Sequence, residues 1–451
     1  MKALSPLDQV FLMLERRNQP MHVGSLMLFQ PPPGSKAEDI RGMVELMRRQ
    51  DQPQPPFNQR LTRKLGVPFW TEDKEFDLAH HFRHLALPRP GRIRELLAMV
   101  SNMHSALLDR EFPLWECSFI EGVADGRFAL YSKMHHAMID GVASMRLLES
   151  LMSTEPAAKA MAPPWAFRRT PRKREGQLAA PSSVLGSVLG QAKSQAKALP
   201  VVTQALLSTW QQARREPEFG DLFRAPRTLF NRRIGNARRF AAQSWSLSRI
   251  RGVGKKVGGT LNDVVLGMCA YALRRYLQDQ NALPNKPLIT MMPMSLRRDD
   301  SDSGNQVGMV LANLGTHIAD PAERMGVIRR SVQASKQRLS QMTPTEIMNY
   351  TALISGPAGL NLATGIAPQK QLYNVVISNV PGPKQPLYWN GALLEGMYPV
   401  SIPVDGMALN ITLVSYADQL SFGLIACRRS VPHVQRMLAY LEQGLAELEA
   451  L

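Results

Sequence analysis

Two histidines, an aspartate and a glycine stand close together in the segment Met134-His135-His136-Ala137-Met138-Ile139-Asp140-Gly141. Attack by a hydroxyl group requires a proton to leave a group of very high pKa. A neutral imidazole, with a reference pKa of about 6.5, suits that work at pH 7. One of the two histidines can therefore be a base. Adjacent side chains on an extended strand face opposite ways, and no HExxH or cysteine spacing accompanies them, so no metal site is expected. A histidine pair alone is commonly structural, which is how His80-His81 reads. The Asp140-Gly141 pair at its set distance, and a strand-to-helix setting, distinguish His135-His136.

The elements around the segment predict how it is presented. Pro113-Leu114-Trp115 precedes an apolar run, Cys117–Val123, and Ala124-Asp125-Gly126 supplies turn chemistry before a strand-like Phe128–Met134. A hairpin here would deliver His135 and His136 at a strand end, ahead of a helical pattern over Val142–Met152. Helical stretches at Ser5–Arg16 and Ala37–Arg49, with a strand-like His22–Phe29, make the first 155 residues an α/β unit. Ser5, Pro6 and Asp8 read as a capped helix start.

Residues 156–233 shift to Ala, Pro, Ser, Gln, Lys and Arg and read as a partly helical connection, with Val184–Leu189 as one amphipathic stretch. From residue 234 to 451 a second unit follows. Thr260 reads as the N-cap of a helix, with Asp263 answering it as a capping-box carboxylate. Asn262 beside it has an amide that could donate to a tetrahedral oxyanion or hold an acyl carbonyl. Strand-like runs occur at Leu288–Met292, Gln306–Leu314, Leu372–Ser378, Leu409–Tyr416 and Leu420–Ala426, before a closing helix over Val431–Leu451. The run ending at Ser378-Asn379, followed by Pro381-Gly382-Pro383, is a strand closed by a rigid turn.

At 451 residues the chain exceeds the size at which one core keeps growing. The net charge of +17 is concentrated between Met161 and Thr260, where 19 Lys and Arg face 4 Asp and Glu. Such a run could meet nucleic acid, anionic lipid or cofactor phosphates, or lie in solvent unpartnered. No nucleic-acid fold signature is present, and no GxGxxG opens a helix after a strand. Arg232, Arg233, Arg238 and Arg239 are phosphate-contact candidates or solvated charges. Three widely spaced cysteines predict neither disulfides nor structural zinc. No signal peptide and no membrane-spanning helix are expected, which predicts a cytoplasmic protein.

The order of motifs is similar, nearly end to end, to that of the bacterial bifunctional wax ester synthase/acyl-CoA:diacylglycerol acyltransferase family. Leu4-Ser5-Pro6-Leu7-Asp8, Pro20-Met21-His22-Val23-Gly24, Phe76-Asp77-Leu78 with His81, and Pro113-Leu114-Trp115-Glu116 carry the resemblance. So do His135–Gly141, Asn262-Asp263, Pro293-Met294-Ser295-Leu296-Arg297, Gly304-Asn305 and Ile377–Pro383. It implies an α/β fold of two chloramphenicol-acetyltransferase-like halves with the active site in a tunnel between them.

It further implies that His136 is the general base and that Asp140 faces away to pair with an arginine, for which Arg297 is the choice. His135 donates to the oxyanion, positions His136 or packs structurally. Gly141 allows close approach or an unusual backbone angle at the turn into the helix. Trp115 lines a channel or anchors the hairpin, and Ser378 and Asn379 face the tunnel near the CoA entrance, with turn formation the competing account of Asn379. The implied partners are acyl-CoA as co-substrate, a fatty alcohol or diacylglycerol, and a peripheral membrane or lipid-inclusion surface. No other cofactor, no metal and no nucleic acid is implied. The competing readings are an amide-forming condensation-type enzyme and a non-catalytic basic protein that binds lipid surfaces.

Overall fold

The computed structural model describes residues 2–64, 67–139, 141–167, 225–295, 307–343, 346–347, 350–351 and 372–451. Asp140, Arg297, Gly304-Asn305 and Val184–Leu189 lie outside the described residues, as does most of the basic connection.

The chain opens with β1 (Lys2–Ala3) and α1 (Pro6–Leu14), whose N-cap Ser5 accepts the Asp8 N–H at 3.2 Å. Then come β2 (His22–Gln30), α2 (Ala37–Arg48), β3 (Gln59–Lys64), β4 (Val67–Glu72), α3 (Leu78–His81), β5 (Phe82–Ala86) and α4 (Ile93–Ser105). The hairpin of β6 (Trp115–Glu121) and β7 (Phe128–His135) follows, and α5 (Gly141–Ser150) begins six residues beyond it. Its turn uses left-handed backbone at Gly122, Asp125 and Gly126, the positions at which glycine and aspartate are tolerated.

After the basic connection come β8 (Arg238–Ser246), α6 (Leu247–Lys256), α7 (Leu261–Asp279), β9 (Ile289–Ser295), β10 (Val307–Asn313) and α8 (Pro321–Ser340). The chain closes with β11 (Val375–Val380), β12 (Tyr388–Trp389), β13 (Ala392–Val400), β14 (Leu409–Tyr416), β15 (Gln419–Cys427) and α9 (Arg436–Glu449).

Two six-stranded sheets result, ordered β12-β13-β2-β7-β6-β5 and β10-β9-β11-β14-β15-β8, with a small sheet β1-β4-β3 beside α1. The second sheet is covered by α7, most of whose residues from Asp263 to Leu277 are buried, with α8 and α9 packed against it.

The division at residues 156–233 does not partition the sheets. β12 and β13, from the C-terminal part of the sequence, complete the N-terminal sheet, with Met397 opposite Met27 and Pro399 opposite Ser25. Pro399 is tolerated because only the two-residue β12, paired at Leu393 and Ala392, flanks β13 on its other side, and a separate register shift falls at Leu394/Gly396. Where β13 crosses the second sheet the backbones nearly touch. A Cβ placed on Gly423 of β15 would stand 1.8 Å from the Pro399 carbonyl oxygen.

The described ends of the connection are anchored. Trp165 is fully buried and its Nε1 donates to Gln50 O at 2.6 Å, while Phe230 packs into the second core. Arg238, a phosphate-contact candidate by sequence, is instead buried and donates to Gly235 O at 2.6 Å and Asn18 O at 2.7 Å. Backbone carbonyls, not solvent or phosphate, satisfy its guanidinium. Arg232 and Arg233 are exposed, and Arg239 is half-buried.

Candidate active site

A cavity of about 500 Å³ lies between the two sheets. Val23, Gly24, Ser25, Trp115, Glu116, Cys117, Ser132 and Met134 line it from the first sheet, with Met397, Pro399 and Val400 of β13. Met291, Pro293, Gly308, Ser378, Asn379, Thr412 and Val414 line it from the second, and Met145, Leu147 and Leu148 of α5 close one wall. The wall is largely apolar with a few polar groups, the composition of a site for a small hydrophobic ligand.

β7 ends at His135, and strand alternation sends the two histidines to opposite sides. His136 lines the cavity, its ring stacked on Phe11 of α1 with centroids 4.2 Å apart. The His136 N–H donates to Met21 O at 2.9 Å.

His135 is fully buried and is not in the cavity wall. Its Nδ1 accepts the Ala137 N–H at 3.1 Å, which places the ring proton of the neutral imidazole on Nε2, 3.5 Å from Glu15 Oε2. Glu15 also accepts the Met21 N–H at 3.1 Å and Arg110 Nη2 at 2.9 Å. Burial pushes the Glu15 carboxyl up, but the His135 imidazole, the Met21 N–H and Arg110 outweigh it and hold the group below its ordinary range.

Gly141 is the first residue of α5. Asp263 accepts from both the N–H and the Oγ of Thr260 at 2.8 Å, while the Asp263 N–H donates to Thr260 Oγ at 3.3 Å, a reciprocal capping box. Asn262, one residue earlier, is exposed and accepts from Asn379 Nδ2 at 2.9 Å. Asn379 and Ser378 line the cavity, and Asn379 Oδ1 is buried with no hydrogen-bond partner among the described residues. Trp115 combines two features: it lines the cavity, and its Nε1 donates to Phe57 O at 2.8 Å while His81 stacks on its ring at 4.5 Å. The structure thus brings His136, Trp115, Ser378 and Asn379 to one cavity, with Asn262 reaching it through Asn379. His135 is buried outside its wall, and Asp263 caps α7.

Phe11, Glu15 and Arg110 were not found from sequence. Glu15 sits just past the end of α1, about 120 residues from His135, and nothing local marks the pairing. Behind the wall, His104 Nε2 donates to Ser401 O at 3.0 Å and its Nδ1 meets Tyr131 Oη at 2.8 Å, while His22 Nε2 meets His104 O at 2.9 Å. Burial pushes His104 down to about 3 and His22 well below its ordinary value, so both are neutral struts at pH 7. Among the described residues no cluster of His, Cys, Asp or Glu could hold a metal ion.

Two sheets share a cavity, with the second histidine of the His135–Gly141 segment in its wall. A trichothecene 15-O-acetyltransferase from Fusarium sporotrichioides shares this fold at a TM-score of 0.62 and 14% identity, covering 99% of this chain and 94% of its own. The family model described as the wax ester synthase/diacylglycerol acyltransferase catalytic domain matches residues 4–265, and the WS/DGAT C-terminal domain matches 303–449. The chain belongs to this wax ester synthase/diacylglycerol acyltransferase family and is an O-acyltransferase. It is 50% identical to the O-acyltransferase WSD of Acinetobacter baylyi, over 100% of this chain and 97% of that protein. The solved wax ester synthase/diacylglycerol acyltransferase from Marinobacter aquaeolei VT8 superposes with a TM-score of 0.82 at 48% identity, covering 100% of this chain and 99% of its own.

Proposed function

We propose that the protein transfers a long-chain acyl group from acyl-CoA to the hydroxyl of a fatty alcohol, a diacylglycerol or both, with His136 as general base. The observation that carries this reading is the His136 ring in the wall of a largely apolar cavity to which both sheets contribute. The imidazole takes the hydroxyl proton as the oxygen attacks the thioester carbonyl. The C–S bond then breaks, and the same imidazole returns the proton to the departing CoA sulfur. No covalent enzyme intermediate is needed. Met134, Met145, Leu147 and Leu148 offer apolar contact to the chains. The test is release of free CoA thiol from a long-chain acyl-CoA, which is expected only when hexadecanol or diacylglycerol is added. Equal release without an alcohol, or with an amine alone, contradicts the reading.

Asn262 and Asn379 are proposed to act as one unit, Asn262 Oδ1 holding one Nδ2 hydrogen of Asn379 so that the second can donate to the reacting carbonyl while Asn379 Oδ1 can accept from the alcohol. Removing a single donor to a developing oxyanion costs about 10²–10³-fold elsewhere. Alanine at either position is expected to lower kcat by about 10²-fold, with the double variant no worse than the more damaged single one. Additive losses, or less than a threefold effect of Asn262→Ala, would remove the unit.

The proposed alcohols are insoluble in water, so the proposed place of action is the cytoplasmic surface of the inner membrane or of lipid inclusions. Met13 and Val10 support this, being 77% and 44% exposed on the helix whose Phe11 touches His136. No helix among the described residues is long and apolar enough to cross a membrane. The three cysteines are free thiols, which suits a reducing compartment.

A further inference from the structure

One buried carboxylate meets the two residues, Met21 and His135, that receive the His136 and Ala137 amides of the loop at the proposed base. The Glu15 side chain is 4% exposed, and its Oε1 accepts Arg110 Nε at 3.0 Å and Nη2 at 2.9 Å. That leaves Oε2 for the chain around the site. On one side Oε2 accepts the Met21 N–H, and the carbonyl of the same residue receives the His136 N–H at 2.9 Å. On the other side Oε2 faces His135 Nε2, and Nδ1 of that ring receives the Ala137 N–H. The peptide groups on either side of the His136 Cα thus each bond to a residue that meets this oxygen, Met21 through a hydrogen bond and His135 through an Nε2 that stands 3.5 Å away without hydrogen-bond geometry.

We propose that Glu15 is a positioning residue: with Arg110 holding its carboxylate, it sets the His135 tautomer and the Met21 segment, and through them the direction in which the His136 imidazole enters the cavity. This rests on the reading of His136 as the base. A carboxylate is required because it alone accepts every contact offered. Arg110 and the Met21 N–H donate to it and His135 Nε2 faces it at 3.5 Å, whereas a carboxamide would turn one of its own N–H groups toward one of them. Confining a general base within a few tenths of an ångström is worth much of its rate, because small misplacements of reacting groups are costly.

The experiment compares Glu15→Gln, Arg110→Gln and His136→Ala with the parent in the thiol-release assay, together with amide hydrogen exchange over residues 134–138. Glu15→Gln is expected to lower kcat at least tenfold with KM for acyl-CoA within twofold, and to speed exchange at the His136 and Ala137 amides while the strands keep their protection. Arg110 is 36% exposed, so Arg110→Gln is the milder change and is expected to move kcat and exchange in the same directions by a smaller factor. Parent kcat in folded Glu15→Gln overturns the proposal, as does unchanged exchange at those two amides. Should Glu15→Gln not fold, parent kcat in Arg110→Gln overturns it. Parent turnover in His136→Ala sinks the reading of the base itself, a separate outcome.

Discussion

His136→Ala is expected to lower turnover by about 10³-fold while leaving the protein folded, because general acid–base groups contribute about 10²–10⁴-fold. The ring is half-buried and stacks on Phe11, so its removal enlarges a cavity. Its backbone N–H bond to Met21 O survives the substitution. His135→Ala should behave differently. It deletes a fully buried ring, frees the Ala137 N–H and removes the imidazole that stands 3.5 Å from the buried Glu15 carboxylate, so the loss should appear in thermal stability as well as in rate. Thiol-release kinetics and melting curves on both variants separate the two roles. A His136→Ala protein turning over within tenfold of the parent would leave the chemistry without its base.

Gly423→Ala is the second large effect, and it acts on the fold. The new methyl would sit 1.8 Å from the Pro399 carbonyl oxygen, a backbone atom that cannot rotate away. Either β13 must lift from β15 or the β14–β15 ladder must bend. Overpacking of this kind costs about 1–3 kcal/mol and sometimes more. Thr412, opposite Gly423 in the ladder, and Pro399 both line the cavity, so activity should fall with stability. Gly42 supplies the control. It is exposed within α2, and a methyl group there would meet nothing within 4 Å, so Gly42→Ala should stabilise by about 0.5–1 kcal/mol through helix propensity alone. Shifts of opposite sign in the denaturant midpoint are the expected result for the two substitutions. Equal midpoints would show that the sheets tolerate separation at this contact.

Local signals carried the parts of the fold whose partners are near in sequence. Alternation and the Asp125-Gly126 turn gave the hairpin that ends at His135, Ser5 and Asp8 marked the start of α1, and Thr260 with Asp263 marked that of α7. β13 was not legible. Gly396 and Pro399 spoil its strand pattern, and the partner that stabilises it, β2, lies some 370 residues away. The same holds at the site. His136, Ser378 and Asn379 could be named from their motifs, but the Asn262–Asn379 bond and the Glu15–His135 contact arise only when distant segments fold together. Charge was the poorest guide. Arg238 sits in the most basic stretch of the chain, yet carbonyl oxygens bury it, and burial takes its pKa down to about 10. The proposed Asp140–Arg297 pair lies outside the described residues.

The insertion of Ala392–Val400 beside His22–Gln30 has a consequence for biosynthesis. A chain leaves the ribosome N-terminus first, yet the first sheet lacks its final full-length strand until residue 400 of 451 has been made. Through most of translation the His22–Gln30 edge stands open, a template for pairing with other nascent chains. Termination anywhere before Tyr388 yields a fragment with that edge permanently uncovered, so the two halves belong to a single folding event and not to two modules that can be cut apart and exchanged.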